Sequence, residues 1–228
     1  MSVSNRVLLV EGEGDKEFIQ RLICTLKLDI KIMPETPRDI CNTQSDGIDV
    51  LRTRALPFVL DRIRTENITH LGIIIDADSS NDGYGFEKRR KQITDILIAR
   101  GYEIPAFTAN INQGEIFPTN KEDWPPIGLW IMPTHSTDGM LEDLLLDNLE
   151  NSTQQSLLNK VDAAIRDLGD LQAFKETHLS KARLSTLLSW QKKPGMSAGK
   201  AYQAKVFDTN PKTSTIIPFT AWLTRVFQ

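Results

Sequence analysis

The sequence predicts an α/β fold: a mostly parallel central sheet flanked by helices, followed by a mainly helical C-terminal extension. Three observations carry this expectation. Short, continuously apolar runs at residues 7–10, 71–75 and 128–132 have the pattern of strands buried on both faces of a parallel sheet. Segments with apolar residues at helical spacing separate them, the alternation expected of βα units joined by right-handed crossovers. Beyond residue 150 the strand-like runs cease while helical periodicity continues.

Each element follows in order. The run 7–10 is the first strand, bounded by Gly12 and Gly14. From Asp15 onward, Phe18, Ile19, Leu22, Ile23 and Leu26 form a helical stripe. Residues 30–33 read as a second strand stopped by Pro34, and 36–47 as polar loop. Residues 48–65 read as a helix in which Pro57 forces a kink or a later start. The apolar run 71–75 closes on Asp76-Ala77-Asp78, and a polar loop over 79–83 leads to a helix at about 85–100. An extended stretch is expected around 104–111, polar chain broken by prolines over 112–126, the last strand at 128–132 and a short helix over 140–149. Further helices are expected at 153–168, 170–190, 198–207 and 215–227, punctuated by Pro194-Gly195 and Asn210-Pro211.

With 228 residues the chain can bury a substantial core without disulfide or metal staples. Its 40% hydrophobic and 25% charged content fits an ordinary soluble protein. The net charge of −3 speaks, on totals, against a strongly basic nucleic-acid binder. The totals conceal a split: residues 1–150 hold 25 acids and 16 bases, whereas 151–228 hold 5 acids and 11 bases. The boundary near 150 therefore divides an acidic α/β core from a basic helical extension, which can pack with the core as one domain. Two cysteines, Cys24 and Cys41, give neither a disulfide framework nor zinc spacing, and Cys24, in a helical apolar pattern, reads as a buried, inert thiol. No signal-peptide pattern and no apolar run near 18 residues is present, so a cytoplasmic location without membrane contact is expected.

In an open parallel sheet, ligands bind outside the carboxyl ends of the strands. Glu11 and Asp15 follow the first strand, Asp76 and Asp78 the third, and Asp138, Glu142 and Asp143 the last, after Pro133-Thr134-His135. Each acid alone has an ordinary reading, since acids complement the first turn of a helix and a lone Asp-x-Asp occurs in many folds. Together they place carboxylates along one sheet edge, where mutual repulsion would raise their pKa values. Hard, oxygen-preferring cations such as Mg²⁺ or Mn²⁺ relieve that conflict. A site of acids and water suits phosphoryl rather than acyl chemistry. His135 directly follows the last strand and could act there as a proton carrier, or stand as a loop histidine with no such role.

Val7-Leu8-Leu9-Val10-Glu11-Gly12-Glu13-Gly14-Asp15 resembles the first motif of the Toprim domain, and Ile73-Ile74-Ile75-Asp76-Ala77-Asp78 resembles its second. The likeness spans roughly residues 5–150 and lies nearest to small stand-alone Toprim-like proteins related to the OLD-family nucleases. It implies a Rossmann-like core in which Glu11 is a general acid or base, or a metal ligand, and Asp76 and Asp78 bind metal. It also implies Asp15 as a further acidic ligand, and Glu142 or Asp143 as a ligand to a second metal. The glycine that often follows the Asp-x-Asp closely is displaced here to Gly83, and the chain lacks a Walker signature.

The expected function is a Mg²⁺-dependent phosphodiester-processing enzyme, a nuclease acting on nucleic acid. Arg89 and Arg90, in the basic run 88–91, and Lys192 and Lys193, near Trp190, are candidate substrate-binding residues. The alternative reading of the basic run is a solvated helix face. One functional alternative is a metal- or nucleotide-binding regulatory module without activity, working with a protein partner. A weaker one is a haloacid-dehalogenase-like phosphatase, but that fold carries its Asp-x-Asp on the first core strand, where this chain has Glu11-Gly12.

Overall fold

The computed structural model describes residues 5–105, 113–210 and 214–228. Its centre is a five-stranded sheet of β1 (Arg6–Leu9), β2 (Pro34–Glu35), β3 (His70–Asp76), β4 (Glu115–Phe117) and β5 (Ile127–Met132), in the order β2-β1-β3-β5-β4. All neighbours pair in parallel except β4 with β5. The expected α/β class with a mostly parallel sheet is therefore the observed one. The chain moves from β1 to one side for β2, then returns to place β3 on the other. The order thus reverses between β1 and β3, where an open sheet leaves a crevice.

Helix α1 (Glu13–Leu26) links β1 to β2. The second strand is displaced from its expected place: the alternation over 30–33 reflects burial of Ile30 beside exposed Lys31, whereas ladder pairing starts at Pro34, opposite Leu8. A proline is tolerated on this short edge strand. Within the expected loop 36–47 lies a short helix, α2 (Pro37–Cys41). Thr36 caps it, accepting from the Asp39 amide and donating its own amide to the Asp39 carboxylate at 2.8 Å, with proline in the first turn.

The helix around Pro57 is broken as expected, into α3 (Ile48–Val50), a wide π turn over Leu51–Ala55, and α4 (Leu56–Arg62). Proline supplies no amide hydrogen, and the π turn lies immediately before it. Helix α5 (Phe86–Ala99) follows β3. The extended stretch expected around 104–111 lies almost wholly outside the described residues. Strand β4, in chain read as irregular, is a three-residue edge element too short to show a period. Helices α6 (Leu141–Leu146), α7 (Ser152–Arg166), α8 (Leu179–Ser189), α9 (Ala198–Gln203) and α10 (Ile217–Phe227) complete the chain. Residues 170–178, expected as helix, form only two short 3₁₀ turns.

Alternate strand residues feed two apolar layers. Val7, Leu9, Ile73, Ile75, Leu129 and Ile131 pack against α4 and α5. Leu8, Val10, Ile74, Trp130 and Met132 pack against α1 and α6–α10, so core and extension share one apolar cluster. Two glycines seat α10 on the sheet. Gly72 and Gly128 are paired in register on β3 and β5. A Cβ at Gly128 would stand 2.4 Å from Val226 Cγ2, and one at Gly72 would stand 3.1 Å from the Phe227 ring. Among the described residues, no helix is long and apolar enough to cross a membrane.

Candidate functional site

The crevice between β1 and β3 is where the carboxylates meet. Glu11 lies just past β1, and its Oε1 accepts from the Asp76 amide at 2.8 Å, tying the two strand ends together. Asp76 ends β3, and its Oδ1 accepts from the Leu141 amide at the start of α6 at 3.1 Å. Asp15, in the first turn of α1, accepts from the Gly12 amide at 3.0 Å. Glu142 stands in the first turn of α6. Glu11, Asp15, Asp76 and Glu142 line one cleft of about 320 Å³, with Lys181 of α8 on its wall. Four expected site residues are thus brought together, from three segments far apart in sequence.

Their environment favours the protonated forms. Burial raises Glu11 to about 8, against the pull of the Asp76 amide, while Asp15 and Asp78 push it further and Arg89 opposes them. Asp15 rises to about 6, through burial and then the charge of Glu142, with the Gly12 amide and Lys181 counteracting. Burial carries Asp76 well above the carboxylate range, with Asp15, Glu11 and Glu142 adding to the effect. Glu142 also rises, chiefly by burial, against the pull of Lys181. Acids held this way gain strongly from a cation.

Asp78 and Asp143 face an adjoining pocket of about 420 Å³ that also includes Asp138 and Ser180. Asp78 adopts φ +60° and exchanges backbone hydrogen bonds with Gly139 at 2.8 and 2.9 Å. Its carboxylate is paired with Arg89, whose side chain is 3% exposed. Asp143 accepts from the Met140 amide and from Ser180 Oγ. Asp138 accepts from the amides of Ser80 and Phe86 at 3.0 and 2.8 Å; the Ser80 side chain first, then the Phe86 and Ser80 amides, hold it below the usual carboxylate range. The displaced glycine, Gly83 (φ +76°), ends the short 3₁₀ turn that this clamp supports.

The all-oxygen donor set is the right chemistry for a hard divalent cation. Glu11 Oε1, Asp15 Oδ2 and Asp76 Oδ1 each accept from a backbone amide. As the side chains stand, however, no group of three or more His, Cys, Asp or Glu among the described residues is arranged to hold a metal. Binding would have to draw the second oxygens inward.

The basic residues differ from expectation. Arg89 and Arg90, expected to face a phosphate backbone, are committed inside the protein. Arg89 pairs with Asp78, and Arg90 Nε donates to Glu115 Oε2 at 2.9 Å. Lys192 and Lys193 are exposed on the turn after α8, which leads to Ser197 and Ala198 on the cleft wall. His135 lies outside the cleft: it is fully buried, accepts from the Ile131 amide at 2.9 Å through Nδ1, and meets Glu115 through Nε2. Cys24, expected to be buried, is exposed. Lys181 is the residue that sequence reasoning did not place in the site. It is one of the eleven bases beyond residue 150, and only the packing of α8 on α6 brings it to the carboxylates.

A family described as "Protein of unknown function (DUF3226)" matches residues 5–228, and the chain belongs to it. No curated protein and no solved structure matches the chain.

Proposed function

We propose that this family member is a Toprim-like, Mg²⁺- or Mn²⁺-dependent enzyme that cleaves nucleic-acid phosphodiesters. The observation that carries the reading is the meeting of Glu11, Asp15, Asp76 and Glu142 at the strand-order reversal, all with raised affinity for protons. When bound, the metal would supply charge stabilisation for the attacking and leaving oxygens of a phosphodiester. The chain's own part is distinct. The Asp76 amide fixes Glu11 through Oε1, so Oε2 is the atom left to hold a proton near neutral pH. Asp76 is oriented by the start of α6 and Asp15 by the Gly12 amide. Lys181 and the exposed Lys192 and Lys193 supply positive charge for a polyanion beside an otherwise acidic cleft.

The test is incubation with plasmid, linear and single-stranded DNA and with RNA, in Mg²⁺ and in Mn²⁺, beside Glu11→Gln and Asp76→Asn. Metal-dependent cleavage lost in both variants supports the reading, and cleavage that persists in both removes this site from it. A second reading has its own observation: the Asp78 carboxylate is held by Arg89. On that reading the chain is a metal- or nucleotide-binding regulatory module serving a protein partner. Metal-linked thermal stabilisation without cleavage of any substrate would favour it.

A further inference from the structure

The chain leaves the acid cleft along α8, turns over residues 190–196 and returns to the cleft wall at Ser197 and Ala198. Leu184 of α8 lines the cleft, and Trp190 ends that helix about 9 Å further along its axis. The start of the turn is anchored. The Trp190 amide donates to the Thr186 carbonyl at 3.2 Å, and Gln191 Nε2 donates to Gln154 Oε1 on α7 at 2.9 Å.

Trp190 differs from the other three tryptophans. Trp130 and Trp222 are buried against each other, and Trp124 meets Tyr102 and Lys121. Trp190 is 46% exposed, and among the described residues no ring or cation stacks on it. The sequence around it has one sign of charge: residues 177–207 hold six bases and no acid. Of these, Arg183 is paired with Asp162. Lys192 and Lys193 are exposed and, among the described residues, in no ion pair. A free indole beside unpaired cations suits the face of a base and the phosphates that flank it. In a duplex the base faces are already stacked on one another, so engaging them there would cost unstacking energy. An unpaired strand presents them freely.

We infer that Trp190, with Lys192 and Lys193, is a stacking platform for an unpaired base, which makes single-stranded nucleic acid the preferred substrate of the cleft. The inference rests on the proposed phosphodiester reading for the class of polymer. It adds the state of the strand and the residue that selects it.

The test is binding to the full chain in EDTA, where no metal supports cleavage. It is read by the anisotropy of a labelled DNA strand of about 12 nucleotides and by quenching of tryptophan emission. The single strand is expected to bind at least about tenfold tighter than a duplex of the same length. Trp190→Ala should weaken the strand about five- to hundredfold and leave the duplex unchanged, while Trp190→Phe keeps most of the affinity. Lys192→Gln with Lys193→Gln should lower the slope of log Kd against log salt by about 1.4. Equal binding of strand and duplex, no binding, or binding unchanged in Trp190→Ala would overturn the inference. So would equal affinity for polyglutamate, which would assign the turn to an acidic protein surface. Strand binding through Trp190 with no metal-dependent cleavage of any substrate refutes the nuclease reading and keeps the platform. Cleavage by a Trp190→Ala protein that binds like the wild type refutes the platform alone.

Discussion

The buried carboxylates make the metal-free protein least stable where it is most highly charged, and Glu11 is the residue on which to measure this. Its carboxyl rises from an ordinary 4.5 to about 8 on folding, chiefly by burial. A raised folded-state value means the native protein holds a proton that the unfolded chain releases. The favourable contribution is complete below pH 4.5 and is lost as pH rises through 8. Between pH 6 and 8 one such group lowers stability by on the order of 2–3 kcal/mol. For a chain of this length that corresponds to a fall in Tm of about 4–12 °C.

The assay is thermal unfolding by circular dichroism in EDTA across pH 5–9, for the wild type and for Glu11→Gln. Glutamine keeps an oxygen for the Asp76 amide but has no proton to lose. It should therefore flatten the fall above pH 6 and be the more stable protein at pH 8. Added Mg²⁺ should restore the wild type at pH 8 and do little at pH 5, where protons already neutralise the acids. A wild-type Tm that is flat from pH 6 to 8, or an equal fall in Glu11→Gln, would refute the reasoning.

Other expectations follow from the same contacts. Lys181→Met removes the cation that opposes the rise of Asp15 and Glu142; the fall in Tm with pH should steepen, measured by the same melts. Arg89→Met leaves the partly exposed Asp78 without its partner and should cost about 1–3 kcal/mol, with Asp78→Asn recovering part of it in a double-mutant cycle by urea denaturation. Asp138 has the opposite sign to Glu11: its carboxyl is depressed, so its contribution is present above pH 3.8 and lost as pH falls. Asp138→Ala should speed hydrogen exchange at the Ser80 and Phe86 amides at neutral pH. Gly128→Ala drives a methyl to 2.4 Å from Val226 Cγ2 and should lower stability by about 1–3 kcal/mol in chemical denaturation.

Much of this was legible because burial writes itself into local sequence. The runs ending at Val10, Ile75 and Met132 are apolar on both faces, so they announce central strands, and Glu11 and Asp76 stand at their ends by arithmetic alone. What local pattern could not express was partnership. Asp78 and Asp76 look equivalent in Asp-x-Asp, yet the left-handed backbone and Arg89 turn Asp78 toward a different pocket. Arg89 and Arg90 look like a solvated or substrate-facing pair because their acids, Asp78 and Glu115, are distant in sequence. Cys24 sits among apolar neighbours but falls on the outer face of α1. β2 and β4 are edge strands of two and three residues, too short for a period of two to emerge.

The glycine seat under α10 also sets a schedule. Strands β3 and β5 are complete by Met132, but the helix that covers their glycine-paired face is not made until 217–227. At ribosomal rates that interval is on the order of ten seconds. Throughout it, Trp130 and Ile74 lack Phe219, Trp222 and Phe227 as neighbours. The nascent chain must therefore keep an apolar sheet face from other chains until its last helix arrives, and any fragment lacking 217–227 never closes it.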